Sequence, residues 1–239
     1  MSLLRAPLLL LTVSGIHYSL TAPNPTPPNE ERARYKTAEV KISKLVVLWP
    51  MLMKAALWTG ALCETVLILA HNFPAHPLSQ SVLSTLLPSD SAAAGALILT
   101  PAFLAGTALT LFGTYLRHRC FRVLGKLFTF ELAIRKDHRL VTEGPYSVVR
   151  HPSYTAGVLA FTGANLCLLG PGSWFWESGL AHTKAGQVFL AAMAVNLVWT
   201  VGFVGRRTVV EDRTLREQFG AQWDEWAARV PYRLFPFIF

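Results

Sequence analysis

The chain has 239 residues, of which 52% are hydrophobic and only 15% charged, with a formal net charge of +8. So apolar a composition excludes an ordinary soluble domain. The basic residues fall in separate loops rather than on one face, so the positive charge is not a nucleic-acid surface.

Five stretches approach the roughly 20 apolar residues that a helix needs to cross a bilayer: residues 6–22, 45–70, 92–116, 154–170 and 185–205. The first follows a single Arg5 and ends in small residues, a pattern shared with cleaved leaders, so its retention is open. The run Pro23-Asn-Pro-Thr-Pro-Pro-Asn29 is too rich in proline for regular helix and reads as an extended loop. Residues 30–44 carry mixed charge and read as a short surface helix. The second span contains Lys54, near enough to one end to snorkel, and Glu64, which is expected to face a polar interior.

Residues 71–91 contain no Lys or Arg and read as a loop on the lumenal side. The third span, with Pro101, Gly106 and Gly113, runs into the basic, aromatic-rich segment 117–129, expected along the membrane interface. Apolar and charged residues then alternate over 128–139, as in a short strand or extended arm. After the fourth span, Trp174-Phe-Trp176 suits an interfacial aromatic belt. Beyond the fifth span, Leu215, Phe219, Trp223 and Trp226 recur at helical spacing and predict an amphipathic helix. The closing segment 230–239 is apolar and proline-broken, and is expected to pack back on the membrane part.

Lys and Arg number five in residues 23–44, none in 71–91, eight in 117–153, one in 171–184 and six in 206–239. This alternation is the positive-inside signature, and it places segment 117–153 and the C-terminal tail in the cytosol. Cys63, Cys120 and Cys167 are isolated, with neither disulfide nor metal-ligand spacing, and read as packing residues. No phosphate loop, dinucleotide fingerprint or Ser-His-Asp pattern occurs.

Polar, reactive residues concentrate in Leu140-Val-Thr-Glu-Gly-Pro-Tyr-Ser-Val-Val-Arg-His-Pro-Ser-Tyr154. A helix starting beside Pro152 would place Tyr154 one turn from Arg150 and His151, so that all three face one cavity. The second polar cluster is Glu211-Asp212, where the fifth span ends.

These two clusters, with the closing pattern Phe-Gly-Ala-Gln-Trp-Asp-Glu-Trp followed by Val-Pro-Tyr-Arg, resemble the isoprenylcysteine carboxyl methyltransferase family over residues 110–239. The resemblance implies an all-α polytopic membrane enzyme of about five spans. It implies one domain, with residues 1–116 supplying spans one to three and 117–239 the cofactor and catalytic part. It implies S-adenosylmethionine in a cytosol-facing pocket along His138, Leu140, Val141, Gly144, Pro145 and Tyr146, flanked by His151 and Tyr154. Glu211, with Asp212, would hold the cofactor's ammonium or shape the methyl-transfer site, and Arg150 would grip the substrate carboxylate. The family usually shows two glutamates where this chain has Glu211-Asp212, which leaves the role of Asp212 less defined. The implied substrate is a prenylated CaaX-type protein or prenylcysteine, met in lipid, with no metal and no nucleic acid, in the endoplasmic reticulum. Related methyltransferases acting on phospholipid amines or small isoprenoid acids, and NADPH-dependent sterol reductases, share parts of the pattern. A non-catalytic scaffold or small transporter would show no sensitivity at Arg150 or Glu211.

Overall fold

The computed structural model describes residues 1–26, 28, 43–87, 97–131 and 139–238. Among them the regular structure is helical, with no strand. The helices are α1 (Arg5–Ser19), α2 (Ser43–Asn72), α3 (Ser79–Leu86), α4 (Pro101–Leu124), α5 (Pro152–Leu169), α6 (Trp174–Glu177), α7 (Lys184–Phe219) and α8 (Ala221–Arg229).

Three stretches are long and apolar enough to cross a membrane: Leu48–Asn72, Pro152–Glu177 and Lys184–Phe219. They overlap the second span read from the sequence and contain the fourth and fifth. In Lys184–Phe219 only 6% of the apolar window is buried inside the protein. Val188, Val195 and Val198 therefore need hydrocarbon around them, which makes this an integral membrane protein. The 36 residues of α7 rise about 54 Å, against a hydrocarbon core of about 30 Å. The helix is thus longer than the hydrocarbon core is thick.

The chain divides into two compact units. The first comprises Met1–Tyr18, Met53–Phe112 and Leu159–Trp199. Its core includes Ala6, Leu67, Ile68, Leu87 and Leu97. Within it Arg5 and Glu64 form a fully buried ion pair, Nε to Oε1 at 2.5 Å. Arg5 Nη1 also donates to Ile98 O at 2.6 Å, and its guanidinium lies 4.0 Å from the Phe103 ring centroid. The second carboxylate oxygen accepts the Trp174 N–H at 2.7 Å. The polar interior expected around Glu64 is this set of partners. Helices α4 and α5 approach backbone to backbone at Gly106 and Gly163, where a Cβ on Gly163 would lie 2.7 Å from Thr110 N.

The second unit comprises Ser19–Leu52, Gly113–Val158 and Thr200–Phe239. Cys120, Val141, Tyr146, Trp226 and Val230 form its core cluster. Arg117, buried, fastens it from within. Its Nε donates to Ser19 O at 3.0 Å and its Nη1 to Ser153 Oγ at 2.9 Å, while Phe121, Phe128 and Phe130 surround the guanidinium.

Several boundaries differ from the sequence reading. Residues 71–91 include helix α3, so they are not loop throughout. Helix α4 begins at Pro101, where proline suits a first helical turn, and continues through the basic residues to Leu124. The amphipathic helix predicted after the fifth span is split: Leu215 and Phe219 lie on α7, and Trp223 and Trp226 on the separate helix α8. No Gly or Pro interrupts residues 206–219, so α7 runs on to Phe219 and breaks only at Gly220, whose φ is +52°. Residues 128–131 form no strand; residues 132–138 and the expected surface helix at 30–42 lie outside the described residues.

Candidate active site

Pro152 opens α5 and leaves Arg150 and His151 in non-helical backbone just before it. That backbone is pinned by the C-terminal segment. The Arg150 N–H donates to Tyr232 O at 2.9 Å and the His151 N–H to Arg233 O at 2.8 Å. Thr155 Oγ1 adds a bond to Leu234 O at 2.6 Å. The Arg-His-Pro segment and the chain end therefore hold each other in place.

From α7, one turn apart, come Arg207 and the acidic pair. His151 bridges the pair, with Nε2 2.9 Å from Asp212 Oδ1 and Nδ1 3.2 Å from Glu211 Oε2. The Tyr154 hydroxyl donates a short bond to Glu211 Oε1, which also accepts from Arg207 Nε at 3.3 Å. Asp212 Oδ2 receives Arg233 Nε at 2.8 Å and Arg150 through Nη2 at 3.1 Å and Nε at 3.3 Å. Arg150, His151, Arg207 and Asp212 are all buried. So Arg150, His151, Tyr154, Glu211 and Asp212, separated by about 60 positions in sequence, form one connected cluster.

Arg150 is more occupied than its expected role suggests. Its Nη1 donates to Val230 O and Pro231 O, both at 2.9 Å. With the Nε bond to Asp212 Oδ2, three of its five N–H groups are hydrogen-bonded, and Nη2 stands 3.1 Å from the same oxygen as an ion pair. Much of the guanidinium is thus committed to Asp212 and the chain end before any ligand binds.

Leu140, Val141 and Tyr146 pack into the core cluster with Trp226 and Val230. Gly144, with φ +61° and Val123 Cγ2 3.2 Å from where a Cβ would stand, allows the turn Gly144–Ser147 that also holds Pro145. Burial pushes the Tyr146 phenol well above its ordinary pKa, and neighbouring Cys120 adds to this, so its proton stays on. Burial favours a neutral His151, but the hydrogen bonds and charges of Asp212 and Glu211 outweigh it and raise its pKa. His138 lies outside the described residues.

The sequence reading missed Arg207, Arg233 and Arg117. Arg207 precedes Glu211 by one helical turn, a spacing that pairs side chains. Arg233 closes the Val-Pro-Tyr-Arg pattern already singled out. Arg117 carried no signal beyond its place at the end of an apolar run.

Helices α5 and α7 thus bring together buried Arg150, His151 and Asp212 with the half-buried Tyr154 and Glu211. Residues 106–175 match the isoprenylcysteine carboxyl methyltransferase (ICMT) family. It is 32% identical over 135 residues to protein-S-isoprenylcysteine O-methyltransferase B of Arabidopsis thaliana, covering 56% of this chain and 58% of that one. It is 30% identical over 122 residues to protein-S-isoprenylcysteine O-methyltransferase of Schizosaccharomyces pombe, covering 50% and 43%. A probable protein-S-isoprenylcysteine O-methyltransferase of Oryza sativa subsp. indica is 28% identical over 136 residues, covering 56% and 60%. The chain thus spans between two fifths and three fifths of the length of these relatives. No solved structure matches it.

Proposed function

We propose that the protein transfers a methyl group from S-adenosylmethionine to the C-terminal carboxylate of a prenylated cysteine. The observation that carries this reading is the junction of Arg150, His151 and Tyr154 with Glu211 and Asp212, in a chain whose residues 106–175 match the isoprenylcysteine carboxyl methyltransferase family.

The donor set suits the cofactor. Glu211 and Asp212 supply negative charge for an ammonium, and Leu140, Val141 and Tyr146 offer an apolar and aromatic surface for an adenine. The bound cofactor supplies an electrophilic sulfonium methyl. A carboxylate is already nucleophilic at neutral pH, so the protein needs no strong base; it needs alignment and exclusion of water. Arg150, held rigid by Asp212 and two carbonyls, would present Nη2 to the acceptor carboxylate. Glu211, fixed by Tyr154, His151 and Arg207, faces the positive end of the cofactor. An apolar prenyl chain enters from the lipid that surrounds the spans.

The same reading takes α1 and α4 as the first and third of five crossings. On α4 the exposed residues pass from Leu104 and Phe112 through Tyr115 to Arg119 and Arg122, with Lys126 in the turn just beyond. That order, apolar then aromatic then basic, suits a helix leaving hydrocarbon for a cytosolic headgroup layer. The site then faces the cytosol, and the endoplasmic reticulum is the membrane the family implies.

The test is methyl transfer from radiolabelled S-adenosylmethionine to N-acetyl-S-farnesylcysteine by purified protein in detergent. Base-labile methyl ester from wild type, greatly reduced in Arg150→Ala and Glu211→Ala, is expected. Cofactor binding without ester would move the substrate to lipid amines or free isoprenoid acids. A folded protein that binds no cofactor would end the methyltransferase reading.

A further inference from the structure

Helix α8 carries two tryptophans one turn apart, and they differ in one atom's surroundings. Trp226 is buried, and its Nε1 donates to Tyr146 O at 3.1 Å. Trp223 packs against the same core cluster, yet its indole nitrogen is buried with no hydrogen-bond partner among the described residues. A sequestered N–H without an acceptor is costly to keep, so its presence asks for a ligand.

The neighbours of Trp223 indicate what that ligand carries. The guanidinium carbons of Arg150 and Arg216 stand 5.7 and 5.9 Å from its ring centroid. Among the described residues Arg150 Nη2 donates no hydrogen bond, and Arg216 pairs with Asp224 at 2.8 Å, the two side chains being 63% and 49% exposed. An exposed pair of this kind contributes little and moves aside readily. An indole N–H, a spare guanidinium N–H and a second mobile guanidinium together favour an anionic oxygen acceptor. The cluster that Trp223 rests on also holds Leu140, Val141 and Tyr146, the stretch assigned above to the cofactor.

We propose that Trp223 Nε1 is a hydrogen-bond donor to a ligand carboxylate in the active site, and that Trp226 is purely a packing residue. The inference rests on the methyltransferase reading. Two ligands of that reaction bear a carboxylate: the amino-acid end of the methyl donor and the prenylcysteine acceptor. Trp223→Phe keeps a ring and removes the donor, and so separates them.

Full-length wild type, Trp223→Phe and Trp226→Phe are compared in detergent by thermal unfolding, calorimetric binding of S-adenosylhomocysteine, and KM for each substrate. Without ligand, Trp223→Phe should unfold at the wild-type temperature, since no bond is lost, whereas Trp226→Phe should unfold lower. Weaker S-adenosylhomocysteine binding by about tenfold in Trp223→Phe assigns the donor's carboxylate. A similar rise in KM for N-acetyl-S-farnesylcysteine alone assigns the acceptor's. Unchanged binding and unchanged KM values in a folded Trp223→Phe protein overturn the inference and leave the methyltransferase reading standing. Failure of wild type to bind S-adenosylhomocysteine overturns both.

Discussion

Arg150 donates to Asp212 Oδ2 through Nε, with Nη2 3.1 Å from the same oxygen, and among the described residues that carboxylate also meets Arg233 Nε and His151 Nε2. Asp212 is therefore a shared anchor for three cations, not a surface acid. A carboxylate so placed holds the Arg-His-Pro segment against the C-terminal segment, which is a structural task first. Removing one partner from a buried ion pair leaves an uncompensated charge and costs about 3–5 kcal/mol. Asp212→Asn should accordingly lower the thermal unfolding temperature in detergent markedly, with activity lost in parallel. A variant as stable as wild type would show that Asp212 is dispensable to the fold.

Glu211 differs from its neighbour in what it binds. Its partners are Tyr154, His151 and Arg207, and none of these bonds ties it to the chain end. Tyr154→Phe removes one donor to a charged group, an interaction worth about 1.5–3 kcal/mol, while keeping the ring. Methyl transfer should fall about 10- to 100-fold if the whole of that loss appears in the reaction barrier. The fold, followed by gel filtration, should persist. Full activity in Tyr154→Phe would remove Glu211 positioning from the proposed mechanism.

Much of this site was legible in the sequence for a local reason. Pro152 marks the helix start, so the order Arg150, His151, Tyr154 fixes which residues share a turn, and a charged pair at the end of an apolar run has to be solvated or buried. What remained hidden was non-local. Nothing in residues 206–219 says whether the helix stops at the membrane edge, and it continues because no breaker occurs before Gly220. Engagement of Arg150 by Val230 and Pro231 depends on how the chain end folds back, which spacing does not encode. Arg5 and Glu64 lie 59 positions apart, so only the fold shows that each is the other's counter-ion.

His151 gives a pH signature with a definite sign. Its folded pKa is raised by Asp212 and Glu211 above the ordinary value of about 6.5. The charged imidazole contributes stability that is fully present below the unfolded pKa and is lost as pH rises through the folded one. The unfolding temperature of wild type minus that of His151→Gln should therefore shrink as pH rises above about 6.5. A difference that stays constant, or grows, as pH rises would contradict the assignment of a protonated His151.

Gly163 tests the close helix approach in the first unit. A Cβ there would collide with Gly106 O and with the Thr110 backbone, and neither can swing away as a side chain would. Overpacking of this kind costs about 1–3 kcal/mol, so Gly163→Ala should lower the unfolding temperature measurably. Gly202→Ala, where a Cβ meets nothing, serves as the control and should leave it unchanged or raise it.

The Arg5–Glu64 pair makes the final prediction, because it decides whether α1 is structural. Arg5 is wholly buried and satisfied by Glu64, Ile98 O and the Phe103 ring, while Glu64 also receives the Trp174 N–H. Either single change, Arg5→Met or Glu64→Leu, strands the partner's charge in an apolar interior. Each should cost about 3–5 kcal/mol or prevent folding. Replacing both removes the two charges together, and the double variant should lose clearly less than the sum of the single changes. Thermal unfolding of the four proteins provides the cycle. Additive losses would mean that the two residues act independently, and that α1 is not held in place by this pair.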